Sequence, residues 1–245
     1  MILPARYCSR KKPLIGMTQI EATIFLADQR GCSQTDWFRS FHGFNFGAYH
    51  NEHRQPFGRL RVFNDDTLAA EKSLKMQVDE NTEVILLPLV GAIEYRNSLG
   101  DTGFVEAGQV QILSAAKGME YEITNPYPDE LVNFLQIWLT GNEQEFTASL
   151  IQNSFDFQQK NQLLPLISTQ TRAYIGRFGG REEGIYEVQH PDTHGIFVFV
   201  IEGAFEVQNR LLHPRDGLAL QGVDTVDFEA LSNDAILLLL EVSLA

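Results

Sequence analysis

Val84-Ile85-Leu86-Leu87-Pro88-Leu89-Val90-Gly91-Ala92-Ile93-Glu94-Tyr95 reads as two strands joined at a glycine. Branched and leucine side chains suit a buried pleated surface, and Gly91 supplies the positive φ that a tight antiparallel turn demands. Pro88 removes one ladder donor, so its strand belongs at a sheet edge or at a bulge. The same pattern returns in the second half as Ile196–Ile201, Glu202-Gly203 and Phe205–Val207. In both halves a further glycine precedes the next strand: Ala107-Gly108 before Val110–Leu113, and Asp216-Gly217 before Leu218–Leu220. Such an echo marks a duplicated module. Two jelly-roll-like barrels in one chain account for it most simply.

Outward from these segments the pattern continues. Leu60–Phe63, Phe104–Val105 and Leu131–Leu139 in the first half, and Ile185–Val188, Val226–Phe228 and Ile236–Val242 in the second, are short runs separated by Gly, Asn, Asp and Pro. That spacing predicts an all-β chain of sandwich or barrel type. Between the halves, Glu143 to Gln159 is polar, with Phe146, Leu150, Ile151, Phe155 and Phe157 at mixed spacing, and reads as a linker with a short helix. The expected organisation is a first barrel over 17–140, a linker over 141–170 and a second barrel over 171–245. Residues 1–16 carry Arg6, Arg10, Lys11 and Lys12 and are expected to be a basic tail or a misassigned start ahead of Met17.

Composition narrows the function classes. With 245 residues, 44% of them hydrophobic, the chain has enough apolar material for a substantial core. Lys and Arg number 19 against 32 Asp and Glu, a formal charge of −13 that repels phosphate backbones and argues against nucleic acid as a direct partner. The longest apolar run, Ala235–Leu240, is strand-sized and far below the roughly 18–20 residues of a membrane-spanning helix. Cys8 and Cys32 form no CxxC pair, so neither a disulfide framework nor a thiolate zinc site is expected. With no apolar signal stretch near the start, a cytoplasmic location follows as the expectation. Phosphate-cradling loops and a GxSxG nucleophile are absent. The glycines and two arginines of Ile175-Gly176-Arg177-Phe178-Gly179-Gly180-Arg181 leave an anion contact open, but suit a flexible entry into the second barrel better.

Arg59-Leu60-Arg61-Val62-Phe63-Asn64-Asp65-Asp66 resembles the RVxNDD signature of the pirin family of bicupins. Trp37-Phe38-Arg39-Ser40-Phe41-His42-Gly43-Phe44-Asn45-Phe46 is similar to the segment before that signature. Asn97-Ser98-Leu99-Gly100-Asp101, Ala107-Gly108-Gln109-Val110-Gln111, Ser114-Ala115 and Gln136-Ile137-Trp138 continue the match in order, and Ala27-Asp28-Gln29-Arg30-Gly31 resembles the family's opening. The resemblance is dense over about 20–140 and looser over 160–245. It implies two cupin barrels with a mononuclear metal in the first, held by an HxH pair and by a later His followed two residues on by Glu. In some members it implies oxygen-dependent cleavage of flavonols such as quercetin; other members resemble transcriptional co-regulators or partners of metabolic enzymes.

Here the chain departs from its relatives. Counted back from Gly91, the HxH positions fall on Gln77 and Asp79; counted from Gly108 to Asn125-Pro126, the later His and Glu fall on Tyr121 and Ile123. A non-haem iron centre of this kind takes imidazole and carboxylate ligands with open positions, which an amide, a carboxylate, a phenol and an alkyl chain do not reproduce. No cofactor is therefore expected. Gln77, Asp79, Glu83 and Tyr121 are expected to form a hydrogen-bonded polar cluster in the vacated pocket. Two sharper alternatives stay open: a hard cation on Asp79, Glu83 and the Gln77 carbonyl, and metal-free acid–base work by an Asp79–Glu83 pair. His50 and His53 fall in a polar loop, whereas His190, His194 and His213 are the candidates for a metal in the second barrel. The chain is thus expected to be a non-catalytic binding or regulatory protein for an unidentified small molecule or protein. The alternative is an oxidoreductase of quercetin 2,3-dioxygenase type with an oxygen-rich metal site.

Overall fold

The computed structural model describes residues 20–141, 147–168 and 171–245, so the expectations for residues 1–16 lie outside the described residues. The chain opens with β1 (Glu21–Phe25), a single 3-10 turn over Ala27–Gln29, β2 (Gly31–Gln34), β3 (Phe38–His42) and β4 (Leu60–Leu68). Then come β5 (Ser73–Gln77), β6 (Thr82–Val90), β7 (Ala92–Asn97), β8 (Thr102–Glu106), β9 (Gln109–Ala115), β10 (Glu120–Thr124), β11 (Val132–Thr140) and β12 (Ser149–Ser154). The second half holds β13 (Leu164–Ser168), β14 (Arg172–Phe178), β15 (Glu183–Glu187), β16 (His194–Glu202) and β17 (Phe205–Val207). It closes with β18 (Arg210–Leu212), β19 (Gly217–Gln221), β20 (Thr225–Ala230) and β21 (Ala235–Ser243).

These strands make two barrels, each a large sheet closed by a small one. The first pairs the order β12-β9-β6-β11-β4-β3-β2 with β5-β10-β7-β8; the second pairs β1-β19-β16-β21-β14-β13 with β15-β20-β17-β18. Every pairing is antiparallel, and Gly91 and Gly203 turn at φ 78° and 75°, as the repeated strand–glycine pattern requires.

The central strands of both large sheets are buried on both faces, which explains their continuous apolar runs. Along β11, Phe134 and Trp138 point into the first barrel, whereas Leu135, Ile137 and Leu139 point into a layer shared with the second. Along β21, Leu237 and Leu239 fill the second barrel while Leu238, Leu240 and Val242 face the same shared layer. Phe197 sits at the centre of that layer, its ring 5.1 Å from Phe63, 5.7 Å from Phe44 and 5.8 Å from Phe25. At its margin the nearly buried Asp65 binds Arg30 at 3.2 Å and lies 3.4 Å from Arg215 of the second barrel, tying the two together by charge.

Three expectations change, and the one for Pro88 holds in its bulge form. The linker helix is not formed in the described part of that segment: residues 149–154 are β12, which extends the first barrel's sheet beside β9. One strand also crosses the expected boundaries, because β1 pairs with β19 of the second barrel. Pro88 lies in an inner strand at a bulge: the β6–β11 register slips between Asn133 and Phe134, and β9 stops pairing with β6 at Leu86, so the missing N–H has no ladder to break. Gly176 lies inside β14, with the Phe178 ring and the Gln162 carbonyl filling the space of a Cβ, and is not part of a flexible loop. No helix among the described residues is long and apolar enough to cross a membrane.

Candidate functional site

The chemistry-bearing residues collect inside the first barrel. Antiparallel register sets His42, Asn64, Gln136, Leu86 and Gln111 side by side across β3, β4, β11, β6 and β9. Residues two apart on a strand share a face, so Asp66 and Ser40 join this row from the neighbouring rung. The small sheet places Tyr95 and Tyr121 opposite, their rings 6.2 Å apart.

Hydrogen bonds link most of these groups into one chain. Trp138 Nε1 donates to Tyr121 Oη at 2.9 Å, Tyr121 Oη donates to Gln136 Oε1, and Gln136 Nε2 donates to Asp66 Oδ2 at 2.8 Å. Ser40 also bonds the Asp66 carboxyl. His42 Nδ1 lies 2.9 Å from Asn64 Oδ1, which makes Nδ1 the donor, and Nε2 accepts from Ser33 Oγ at 2.8 Å. Burial dominates the titration of this row. It raises Asp66 to about 7, against the pull of the Ser40 and Gln136 hydrogen bonds, with Asp65 adding to the rise. It lifts Tyr121 well above the usual phenol range, so Tyr121 is a fixed donor. It lowers His42, keeping the imidazole neutral. Asn64 Nδ2, Asp66 Oδ1 and both amide atoms of Gln111 are buried without hydrogen-bond partners.

The residues expected from sequence divide. Tyr121 and Ile123 are fully inside, at 2% and 0% exposure. Gln77 and Asp79 are on the outside; the β5 partners of Tyr121 and Ile123 are Met76 and Leu74, and Val78 is the buried residue between Gln77 and Asp79. Gln77 lines an open groove of about 460 Å³ on the outer face of the small sheet, with Lys75, Arg96, Glu120 and Glu122, and donates to the Gly118 carbonyl at 3.2 Å. Glu83 occupies the opposite face of β6 from the barrel interior, beside Ile85 in the shared layer's direction, and burial raises its carboxyl against the counter-effects of Arg59 and Thr171. A polar cluster therefore exists, but Asp66, Gln136 and Trp138 are the partners of Tyr121, and Asp79, Glu83 and Gln77 are not. The hard-cation site and the Asp79–Glu83 pair are not assembled.

Asn64, Asp66, Gln136 and Trp138 lie in the family-like segments of the sequence, where no role follows for them from motif alone. The available signal was an Asn-Asp-Asp triplet inside a nine-residue strand closed by Leu60 and Leu68, where polar side chains need partners.

In the second barrel, Glu241 is the buried acid. It accepts Tyr186 Oη at 2.5 Å and the backbone N–H groups of Gln189 and His190 at 3.1 and 2.9 Å. His190 and His194 face each other, rings 5.0 Å apart, at the outer end of β16. His213 does not join them: its turn bonds Val200 through Arg215 and Asp216, and the strand from His194 to Val200, at about 3.3 Å per residue, spans about 20 Å. Among the described residues, no three His, Cys, Asp or Glu side chains group as a metal site would.

Comparison with known proteins agrees with this architecture. The pirin family model matches residues 26–139, and a model described as the quercetinase C-terminal cupin domain matches 159–242. The chain is 26% identical over 223 residues to a quercetin 2,3-dioxygenase of Escherichia coli K12, covering 86% of this chain and 95% of that protein. It is 26% identical over 230 residues to a pirin-like protein of Caulobacter vibrioides, covering 88% and 97%. The crystal structure of YhhW from Escherichia coli superposes with a TM-score of 0.81 at 24% identity, over 92% of this chain and 99% of that one. A nickel(II) complex of bacterial pirin YhhW gives a TM-score of 0.81 at 22% identity, over 92% and 100%.

Proposed function

This chain belongs to the pirin family of two-barrel cupin proteins, and on that premise we propose that it is a non-catalytic member, binding a small molecule or a protein partner in place of flavonol oxidation. The observation that carries the proposal is the placement of Tyr121. At a position matching a family metal ligand, its buried hydroxyl is engaged by Gln136 and Trp138. Ile123 beside it offers no donor atom, and Gln77 and Asp79 face outward. A protonated phenol and an alkyl chain do not fit a mononuclear iron centre, which takes imidazoles and a carboxylate. In support of binding, the interior row carries amide and phenol groups and the Asp66 carboxyl, several with unused hydrogen-bonding capacity. The exposed free thiol of Cys32 suits a reducing, cytoplasmic setting.

The competing oxygenase reading draws on the name of the Escherichia coli relative, and the separation of Gln77, Asp79 and Glu83 onto different surfaces opposes it. One experiment separates the two. Untagged protein, produced with iron, manganese, nickel and zinc supplied and purified without chelators, is assayed for metal by plasma mass spectrometry and for oxygen uptake with quercetin. The expected result is metal far below one atom per chain and no flavonol-dependent uptake. Near-stoichiometric metal together with oxygen consumption would overturn the proposal.

A further inference from the structure

The layer between the barrels opens at one end into a groove of about 470 Å³, within the 300–1,000 Å³ usual for small-molecule sites. Its walls are apolar: Leu89 and Ile201 come from the two barrels, Ile236 from β21, and Phe155 and Phe157 from the connection after β12, their rings edge-on at 5.0 Å. One cation interrupts them. Arg177 follows Ala173 and Ile175 on the face of β14 that lines the shared layer, and pairs across the sheet with Ile236.

Two facts about Arg177 point to a ligand. Its Nε is buried and has no hydrogen-bond acceptor. Its Nη2 lies 3.0 Å from Asp234 Oδ1, but Lys160 Nζ holds the same oxygen at 2.7 Å, so Arg177 shares its carboxylate oxygen with a second cation. An anionic oxygen in the groove would satisfy the orphan Nε donor and give Arg177 an acceptor it does not share, and an apolar body would cover the leucine, isoleucine and phenylalanine walls. Asp156 and Glu202, exposed among the lining residues, disfavour a second negative charge.

We propose that this groove, distinct from the first-barrel interior, is a binding site for a monocarboxylate with an aliphatic or aryl-alkyl body, anchored at Arg177. The probe is octanoate, with octan-1-ol as its neutral counterpart of equal chain length. In the full chain with ¹³C-labelled isoleucine methyls, octanoate is expected to shift Ile175, Ile201 and Ile236 and to bind at least tenfold more tightly than octan-1-ol by calorimetry. Arg177→Met should bring octanoate down to the affinity of the alcohol and leave the alcohol unchanged. If that variant does not fold, Arg177→Lys, which keeps the charge beside Asp234 and lacks the Nε donor, should weaken octanoate at least threefold. Leu89→Trp, filling the groove, should abolish both ligands. The proposal is overturned by the absence of octanoate binding, by equal affinity for acid and alcohol, or by undiminished octanoate binding in the folded Arg177 variant.

Discussion

Asp66→Asn is expected to remove a pH dependence that the buried carboxyl imposes on folding. Asp66 is fully buried in the first barrel; Oδ2 accepts from Gln136 Nε2 at 2.8 Å and Oδ1 has no partner. Burial lifts its pKa from the usual 3.8 to about 7. Between those values the folded chain keeps a proton that the unfolded chain has released, so the native state binds more protons and stability falls as pH rises. Asp66's contribution is greatest below about pH 4, declines through the interval, and is flat above about 7. At about 1.4 kcal/mol per pH unit, the loss comes to about 4 kcal/mol. That is an upper figure, because a charge formed there can recruit the unpaired Asn64 Nδ2 as a donor. The asparagine variant has the same shape and no proton to lose. Urea unfolding of both proteins at 25 °C, from pH 4.5 to 8.5, gives the difference in stability at each pH. It should swing by about 2–4 kcal/mol in favour of the variant as pH rises. A difference that stays constant across the range would refute the assignment of a raised Asp66 pKa.

Two further substitutions test the network and the seam. Tyr121→Phe deletes a hydroxyl that serves both Gln136 and Trp138; since Trp138 Nε1 already lies 3.4 Å from Gln136 Oε1, the stranded pair can close on itself, and the cost should be about 1–2 kcal/mol by urea unfolding at pH 7. An unchanged midpoint would mean that the hydroxyl is not bonded. Asp65→Ala leaves Arg30, which is 8% exposed, without its carboxylate and should cost about 3–5 kcal/mol, the range for a broken buried ion pair; a loss below about 1 kcal/mol would show the charge to be solvated.

The legible part of the fold was whatever lay in repeated local pattern. The strand–glycine–strand echo around Gly91 and Gly203 carried both barrels, and Pro88 marked its bulge, because turns and ladder donors are local constraints. Pairing between distant segments leaves no such mark: nothing in Glu21–Phe25 says that β19 is its neighbour. The site failed at the level of parity. Counting from Gly91 put Gln77 and Asp79 in the pocket, but a one-residue offset in a strand turns every side chain to the other face, and β5 presents Met76 and Leu74 instead. Tyr121 and Ile123 do face the barrel interior, on a β10 held between β5 and β7. The Asn64-Asp65-Asp66 triplet split its roles by the same alternation, two residues into the barrel and Asp65 toward the seam with Arg30 and Arg215.

The exchange of β1 has a consequence for how the chain is made. Glu21 pairs with Gln221, so the first described strand waits through nearly the whole of synthesis before its hydrogen-bonding partner exists. Until then its edge, with Ile24 exposed even in the finished fold, is an unpaired template that another chain can capture. Closing so long a loop comes late and adds few contacts per unit of entropy lost, so docking of β1 should be the last step of assembly and the first to reverse. A cut between the barrels would not leave the second half intact, since the N-terminal fragment would carry away the strand that edges the second barrel's large sheet. The two barrels keep separate interiors, but a common seam and one crossing strand make them a single folding unit.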